Sequence, residues 1–284
     1  MRTRGQKRKR KEELLLELRS PLWRLITEQR DIFAKCVLPH LNETDRYFFS
    51  EVDDESRSAL EYAGVNVSEL GFCVHECSSI STLELAWVTD WGKDSKAWFC
   101  SAVADTNKLE FLKWAREEKK CEWDELTSAS AAYHGNLEIL KYCFDNGCPL
   151  RKDLSVIVAR LGHLNMLKFL IDEKKFEYDK NRVIRGAGYS GNLDMLKYLI
   201  EDKKHTNPMS QILAFRETIR FGHLDCLKYL VEEAKIPEAH RSWLPIAYAR
   251  FYERHEVLNY LREKDFPEPT EEEYAEVVER ESDR

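Results

Sequence analysis

The stretch Gly222-His223-Leu224-Asp225-Cys226-Leu227-Lys228-Tyr229-Leu230 decides the architecture, because the chain repeats it. Three close copies begin at Gly135, Gly162 and Gly191, and two weaker copies span residues 107–115 and 253–261. Corresponding positions of successive copies lie 27 to 31 residues apart. A regular period of this size is typical of an array of helical repeats, in which each unit buries its apolar surface against its neighbours.

Each copy predicts the longer of two helices. When the glycine is numbered 0, positions +2, +5 and +8 are apolar, +4 is mostly apolar and +7 is usually aromatic. This stripe is wider than the apolar face of an ordinary surface helix, so the helix needs a neighbour on each side. The mostly acidic +3 position and the lysine at +6 predict a solvated ridge with weak ion pairs of about 0.2–0.5 kcal/mol, and not a phosphate-binding ladder.

A shorter helix is predicted before each glycine. Positions −4 and −3 are small or apolar in most copies, as in Ala131-Ala132 and Ala187-Gly188, and small side chains let neighbouring helices approach closely. Glycine suits the end of this first helix because it adopts a positive φ without strain. The predicted unit is therefore a helix, a tight turn, a longer helix and a loop.

The stretch 131–141, Ala-Ala-Tyr-His-Gly-Asn-Leu-Glu-Ile-Leu-Lys, resembles the ankyrin-repeat core, small-small-x-x-Gly-His-Leu-x-x-(Leu/Val). The resemblance covers about residues 96–266. It implies an all-α fold, an ankyrin-like helical-repeat solenoid of about six units after a degenerate first one, within residues 69–266. The family's Thr-Pro-Leu-His start is absent from every copy, and the period is shorter than the usual 33 residues, so we expect trimmed finger loops.

The resemblance also implies where a partner binds. In ankyrin arrays the two residues before the glycine lie at the concave end of the first helix, where the sequence varies with the partner. Aromatic and arginine residues, which are enriched in interface hot spots, recur at these positions. An alternative is that the rings pack between repeats. The predicted contacts to an unidentified protein partner are Tyr133, His134, Arg160, Leu161, Tyr189, Arg220, Phe221, Phe251 and Tyr252.

Residues 31–60 resemble an F-box, through Val37-Leu38, then Leu41-Asn42-Glu43-Thr44-Asp45, then Val52 and Arg57. An F-box is a small helical bundle that docks onto the linker subunit of a cullin-RING ubiquitin ligase. Gln29-Arg30 replaces the family's leading Leu-Pro, and Ser56 its tryptophan. The alternative is that residues 12–68 form a helical cap for the first repeat. The resemblance implies docking through Ile32, Val37, Leu38, Leu41 and Phe48.

Both ends of the chain carry unbalanced charge. Residues 1–11 hold seven basic side chains and no acid, which predicts a disordered tail. Lys7, Arg8, Lys9, Arg10 and Lys11 resemble a nuclear-import signal; a merely solvated tail is the alternative. Residues 267–284 are acidic, and Thr270 with Glu273 predicts a capping box for a helix over residues 271–280. That helix is either a polar end-cap or an acidic interaction tail.

The net charge of −7 leaves −14 outside the basic tail, so we expect no binding of nucleic acid by the array. No apolar run is long enough for a membrane span, and no secretory signal is evident. The eight cysteines fit reduced thiols. We therefore expect a cytoplasmic or nuclear monomer that is not bound to a membrane.

No catalytic motif is present, so the sequence predicts a protein without catalytic residues, cofactors or metal. The recurrent His163 and His223 are expected to make structural hydrogen bonds. Cys73, His75 and Cys77 are potential metal ligands within five residues, a spacing too tight for the usual paired ligand sets of zinc. A metalloprotein is thus the weakest of the three alternatives, after a scaffold and a ligase adaptor.

Overall fold

The computed structural model describes residues 29–88, 96–234 and 242–282, and these residues contain helices and loops but no strand. The predicted all-α class is confirmed. The predicted import signal and residues 12–28 of the predicted cap lie outside the described residues. In the ranges described, no helix is long and apolar enough to cross a membrane. The chain divides into two compact units between Glu122 and Trp123, inside the segment that the sequence assigns to the repeats.

The first unit begins with a small bundle around buried Phe33, Leu38, Ala59 and Leu60. Asn42 and Asp53 cap two of its helices through side-chain oxygens that accept from the amides of Asp45 and Ser56. The helices of this unit are α1 (Arg30–Ile32, continued by a π-helical turn Phe33–Val37), α2 (Glu43–Ser50), α3 (Asp54–Tyr62), α4 (Ile80–Val88), α5 (Lys96–Asp105) and α6 (Leu109–Lys113, continued by a π-helical turn Trp114–Glu118).

The second unit consists of helix pairs followed by a last helix. The pairs are α7 (Glu125–His134) with α8 (Leu137–Asp145), α9 (Leu154–Arg160) with α10 (Leu164–Lys168), α11 (Lys180–Ser190) with α12 (Leu193–Lys197), α13 (Pro208–Phe221) with α14 (Leu224–Lys228), and α15 (Leu244–Phe251) with α16 (His255–Glu263). Helix α17 (Glu271–Ser282) follows. Helices α10, α12 and α14 each continue as a π-helical turn, at Phe169–Glu173, Tyr198–Asp202 and Tyr229–Glu233.

The two helices of each pair contact each other, and the first helices α7, α9, α11, α13 and α15 contact one another in chain order. Helix α15 also contacts α17. The predicted capping box of α17 is confirmed, because the Thr270 amide donates to Glu273 Oε2 at 2.8 Å and the Glu273 amide donates to Thr270 Oγ1 at 3.2 Å. Each repeat is thus held against the next through its first helix.

Each first helix ends as the sequence predicts. Gly135, Gly162, Gly191 and Gly222 all adopt positive φ, between 67° and 79°. The weaker copies keep this backbone conformation without glycine, because Asn107 and Glu253, which stand at the same repeat position, have φ of 60° and 57°. The turn is therefore a property of the repeat, and glycine is the residue that adopts it with the least strain.

The next repeat uses the space that the missing Cβ leaves. A Cβ at Gly135 would lie 2.6 Å from His163 Cε1, and one at Gly191 would collide with the His223 ring. His223 Nε2 donates to the carbonyl of Tyr189 at 2.9 Å, which confirms a structural hydrogen bond. Asn192 Nδ2 donates to Gly162 O at 2.9 Å, and Arg254 Nε to Arg220 O at 3.0 Å. The residue after each of these three turns therefore ties its repeat to the preceding helix end. The corresponding bond expected of His163 is not found, because its Nε2 has no hydrogen-bond partner among the described residues.

Small side chains bring the first helices close together, as predicted. Ala131, Ala132, Ala187 and Gly188 are buried. A Cβ at Gly188 would lie 2.5 Å from the backbone oxygen of Ala214, so α11 and α13 approach almost to backbone contact.

The second helices bury positions +4, +5, +7 and +8 in most repeats, whereas +2 is half-buried. The +6 lysine has a role that sequence did not predict, because its Nζ lies over the +7 ring of the following repeat. Contacts of this kind, which we call the lysine ladder, join Lys141 to Phe169 (5.4 Å), Lys168 to Tyr198 (5.2 Å), Lys197 to Tyr229 (5.3 Å) and Lys228 to Tyr260 (5.9 Å).

Two alanine substitutions separate backbone strain from collision. Gly147→Ala requires a positive φ but its Cβ meets nothing within 4 Å, so we expect a loss of about 1 kcal/mol in the free energy of unfolding. Gly191→Ala must also displace His223, and we expect a loss of about 2–4 kcal/mol. Urea unfolding measures both values.

The same measurement in a His223→Ala background provides the control. If the ring is the obstacle, the loss caused by Gly191→Ala falls there to the value for Gly147→Ala. An unchanged loss would mean that the histidine does not occupy the space of the absent Cβ.

Candidate interaction groove

The predicted partner-binding residues stand at the carboxyl ends of the first helices. Tyr133 and Leu161 are 58% and 41% exposed. His134 and Arg160 are also exposed, whereas Tyr189, Arg220, Phe221, Phe251 and Tyr252 are half-buried. These residues therefore form a partly solvent-exposed surface, although their rings also pack against one another.

Residues from four successive first helices meet in one chain of contacts. The Arg160 guanidinium lies over the Tyr189 ring at 4.7 Å, and the rings of Tyr189 and Phe221 are 4.3 Å apart. The Arg220 guanidinium lies 5.6 Å from the Phe221 ring and 5.3 Å from the Tyr252 ring. Phe251 packs edge-on against Tyr252 at 4.9 Å. In the part of the second unit that the structure describes, no ring or ion-pair contact joins Tyr133 to this chain of contacts.

The same helices contribute further side chains that sequence reasoning missed. Arg185 precedes Tyr189 by four residues, Arg216 precedes Arg220 by four, and Tyr248 precedes Tyr252 by four. Residues four apart lie on the same face of a helix. The positions one turn before each predicted pair could therefore have been identified from the sequence by this spacing.

These side chains line two adjoining cavities. The larger cavity, about 240 Å³, is lined by Val156, Arg160, Arg182, Arg185, Gly186, Tyr189, Glu217 and Arg220. The smaller cavity is lined by Arg185, Arg216, Glu217, Arg220, Tyr248, Tyr252 and Glu281. Because Arg185, Glu217 and Arg220 belong to both, we treat the two cavities as one site and call it the arginine groove.

The arginine groove carries five arginines and two glutamates, a formal charge of +3. Arg185 Nε donates to Oε1 of buried Glu217 at 2.6 Å. The Tyr252 hydroxyl donates to Oε2 of Glu281 at 2.6 Å, and burial together with this acceptor raises the pKa of Tyr252 to about 12. The two carboxylates are therefore already engaged, and the excess charge of the groove is positive.

The groove has the chemistry of a binding site. Guanidinium groups recognise carboxylates and phosphates, and aromatic rings supply rigid apolar contact area. Among the residues with described positions, no group of histidine, cysteine and acidic side chains is arranged to hold a metal ion, Cys73, His75 and Cys77 included. Burial raises the pKa of the Cys77 and Cys226 thiols to about 11, which leaves them protonated and poorly nucleophilic.

The five residues implied in ligase docking do not share one exposed surface. Leu38 and Phe48 are buried, and Val37 and Leu41 are partly buried against the bundle core. Ile32 is 41% exposed. The bundle thus uses most of these apolar side chains for its own core.

No protein-family model matches the chain, and no curated protein is significantly similar to it in sequence. The two family resemblances therefore rest on the quoted residues alone.

A buried histidine outside the arginine groove gives the unit a pH dependence. His205 is 3% exposed, and its Nε2 lies 3.0 Å from the Tyr178 hydroxyl. Its Nδ1 has no hydrogen-bond partner among the described residues. Burial, with the nearby cations Lys180 and Lys203, lowers the pKa of His205 to about 4. The imidazole is therefore neutral in the folded protein at neutral pH.

Because the unfolded chain has the ordinary pKa of 6.5, it binds more protons than the folded state between pH 6.5 and pH 4. We expect the free energy of unfolding to fall by about 3 kcal/mol as the pH falls through this window. The difference between the pH profiles of wild type and His205→Gln, measured by urea unfolding, isolates this contribution. Parallel profiles would contradict it.

Proposed function

We propose that the chain is a non-enzymatic protein-interaction scaffold, an ankyrin-like solenoid that holds a protein partner along the ends of its first helices. The observation that carries this proposal is the continuous chain of guanidinium and ring contacts from Arg160 to Tyr252, contributed by four successive repeats. A surface assembled in this way presents the residue types that dominate interface energetics.

The half-buried state of these side chains supports the proposal energetically. Tyr189, Phe221 and Tyr252 are held by their neighbours before any partner arrives, so little side-chain entropy remains to be lost on binding. The exposed Tyr133 and Leu161 would extend the contact toward the first repeat of the second unit. Preorganised rings with exposed edges are favourable interface anchors.

Site-specific photo-crosslinking in the native cell tests the scaffold. A photoreactive phenylalanine analogue replaces Tyr133 or Leu161, which are exposed and whose replacement should leave the fold intact. We expect several-fold more crosslinked partner from these positions than from Met209, which lies at the opposite end of a first helix and, like Tyr133, is 58% exposed.

The comparison of positions 133 and 209 controls for exposure. Equal labelling at the two positions, or none at either, would contradict binding along the carboxyl ends of the first helices. Mass spectrometry of the crosslinked species would identify the partner.

A second candidate is a substrate-recognition adaptor that docks to the linker subunit of a cullin-RING ligase. One observation favours it: residues 30–62 contain helices around a core of their own, including stacked Phe33 and Phe49 at 5.2 Å. A small bundle with its own core could dock through the surface around Ile32, the exposed member of the implied set.

The adaptor requires a surface variant for its test, because Leu38→Asp would bury an unpaired charge and unfold the bundle. We expect Ile32→Asp to abolish co-purification of a linker subunit, and Leu85→Asp, at a 44% exposed position outside the F-box-like segment, to preserve it. Affinity purification followed by immunoblotting for the linker measures both. If wild type recovers no linker, the adaptor is excluded and the bundle is a cap.

A further inference from the structure

We infer that the partner segment held by the arginine groove is an acidic peptide, whose carboxylates pair with guanidinium groups that the fold leaves without an anion. This inference rests on the proposed function and names the chemistry of the partner. It starts from the difference between the charge of the whole chain, −7, and the excess of three positive charges in the groove.

Most of the guanidinium groups in the groove have no anionic partner. Arg185 pairs with Glu217, but no ion pair involves Arg160, Arg182, Arg216 or Arg220 anywhere in the described residues. Arginine–carboxylate ion pairs do form elsewhere, as in Arg57 with Glu51 and Arg262 with Glu268. Arg151, and to a smaller extent Arg182, lower the pKa of the Asp153 carboxyl, so Arg182 already interacts with an anion. Arg160, Arg216 and Arg220 remain without a carboxylate, an electrostatic cost that an acidic ligand would relieve.

Aromatic rings hold three of these arginines by their faces. Arg160 lies over Tyr189 at 4.7 Å, Arg216 over Tyr248 at 5.4 Å and Arg220 over Tyr252 at 5.3 Å. A guanidinium stacked on a ring is fixed in position, yet its N–H donors point outward in the plane of the group. These donors match the two oxygens of a carboxylate, which a planar guanidinium binds through parallel hydrogen bonds.

The buried carboxylates favour a peptide over a nucleic acid. Glu217 and Glu281 stand inside the same groove, and the adjoining helix α17 begins with Glu271, Glu272 and Glu273. A nucleic acid carries a negative charge on every nucleotide, so it would extend onto these acidic groups and be repelled. A peptide can place its few carboxylates against the arginines and neutral residues against the glutamates.

The full-length chain and two labelled probes test the inference by fluorescence anisotropy. One probe is a short peptide that alternates glutamate and serine, and the other replaces each glutamate by glutamine. We expect the acidic peptide to bind at least roughly tenfold more tightly than the neutral one, since hydrogen bonds between charged groups are the stronger kind. Added salt should weaken the binding of the acidic peptide and leave the binding of the neutral peptide unaffected.

Variants locate the binding in the groove. The double variant Arg160→Gln with Arg220→Gln should lower the affinity for the acidic peptide roughly tenfold or more. The control double variant Arg57→Gln with Arg262→Gln removes the same charge elsewhere and should lower the affinity less than about twofold. Arg182→Gln serves as a second groove variant that should not disturb folding, since Arg182 is exposed. Circular dichroism melting verifies that each variant is folded.

Three outcomes would overturn the inference: equal binding of the two peptides, equal weakening by the two double variants, or tighter binding of a short single-stranded oligodeoxythymidine. Each is distinguishable from failure of the scaffold itself. Crosslinking from positions 133 and 161 without binding of the acidic peptide would leave the scaffold in place and remove only the acidic character of its partner.

Discussion

The space left by the absent Cβ of Gly135 and Gly191, at the ends of two first helices, is a constraint on which the packing of the second unit depends. At Gly135 and Gly191 a histidine ring from the next repeat occupies that space, and at Gly191 the ring also bonds to the preceding helix end. Because the residue after the turn bonds to the preceding helix end at Asn192, His223 and Arg254, the carboxyl ends of these first helices are held in register. The arginine groove is a consequence of that register, since most of its side chains stand within two turns of those ends.

How much the sequence could predict follows from the range of each interaction. The positive φ of Gly222, the close approach at Gly188 and the capping box of Thr270 with Glu273 are local or periodic, and all were predicted. The groove was predicted only in part, because the predicted positions were the two residues before the turn in each repeat. Arg185 and Arg216 lie one turn before the predicted pairs, a spacing that each copy contains. Their meeting in one groove, however, depends on a register between repeats that no single copy encodes.

In the first unit, the sequence predicted the helical bundle but not which of its side chains are exposed. The residues implied in ligase docking are all apolar, and apolar residues within predicted helices indicate a helical bundle whether the side chains face inward or toward a partner. The structure assigns Leu38 and Phe48 to the interior and leaves Ile32 at the surface. Burial of a side chain depends on which helices pack together, so motif residues can be found from sequence while their accessibility cannot.

The second unit contains two sets of cation–ring contacts, the lysine ladder and the arginine groove. They can be compared by whether a carboxylate of the chain accepts a hydrogen bond from the ring hydroxyl. In the lysine ladder the hydroxyls of the three tyrosines donate to carboxylates: Tyr198 to Asp172 at 2.9 Å, Tyr229 to Glu201 at 2.9 Å and Tyr260 to Glu232 at 3.1 Å. At these tyrosines the chain supplies cation, ring and anion, which stabilises the contact between repeats, whereas Phe169, over which Lys141 lies, has no hydroxyl to make such a bond. In the arginine groove, Arg220 lies over Tyr252, whose hydroxyl donates to Glu281, so a carboxylate of the chain completes this contact as well. Arg160 lies over Tyr189, whose hydroxyl donates to no carboxylate among the described residues. The missing component at Arg160 is an anion, which the proposed acidic partner would supply.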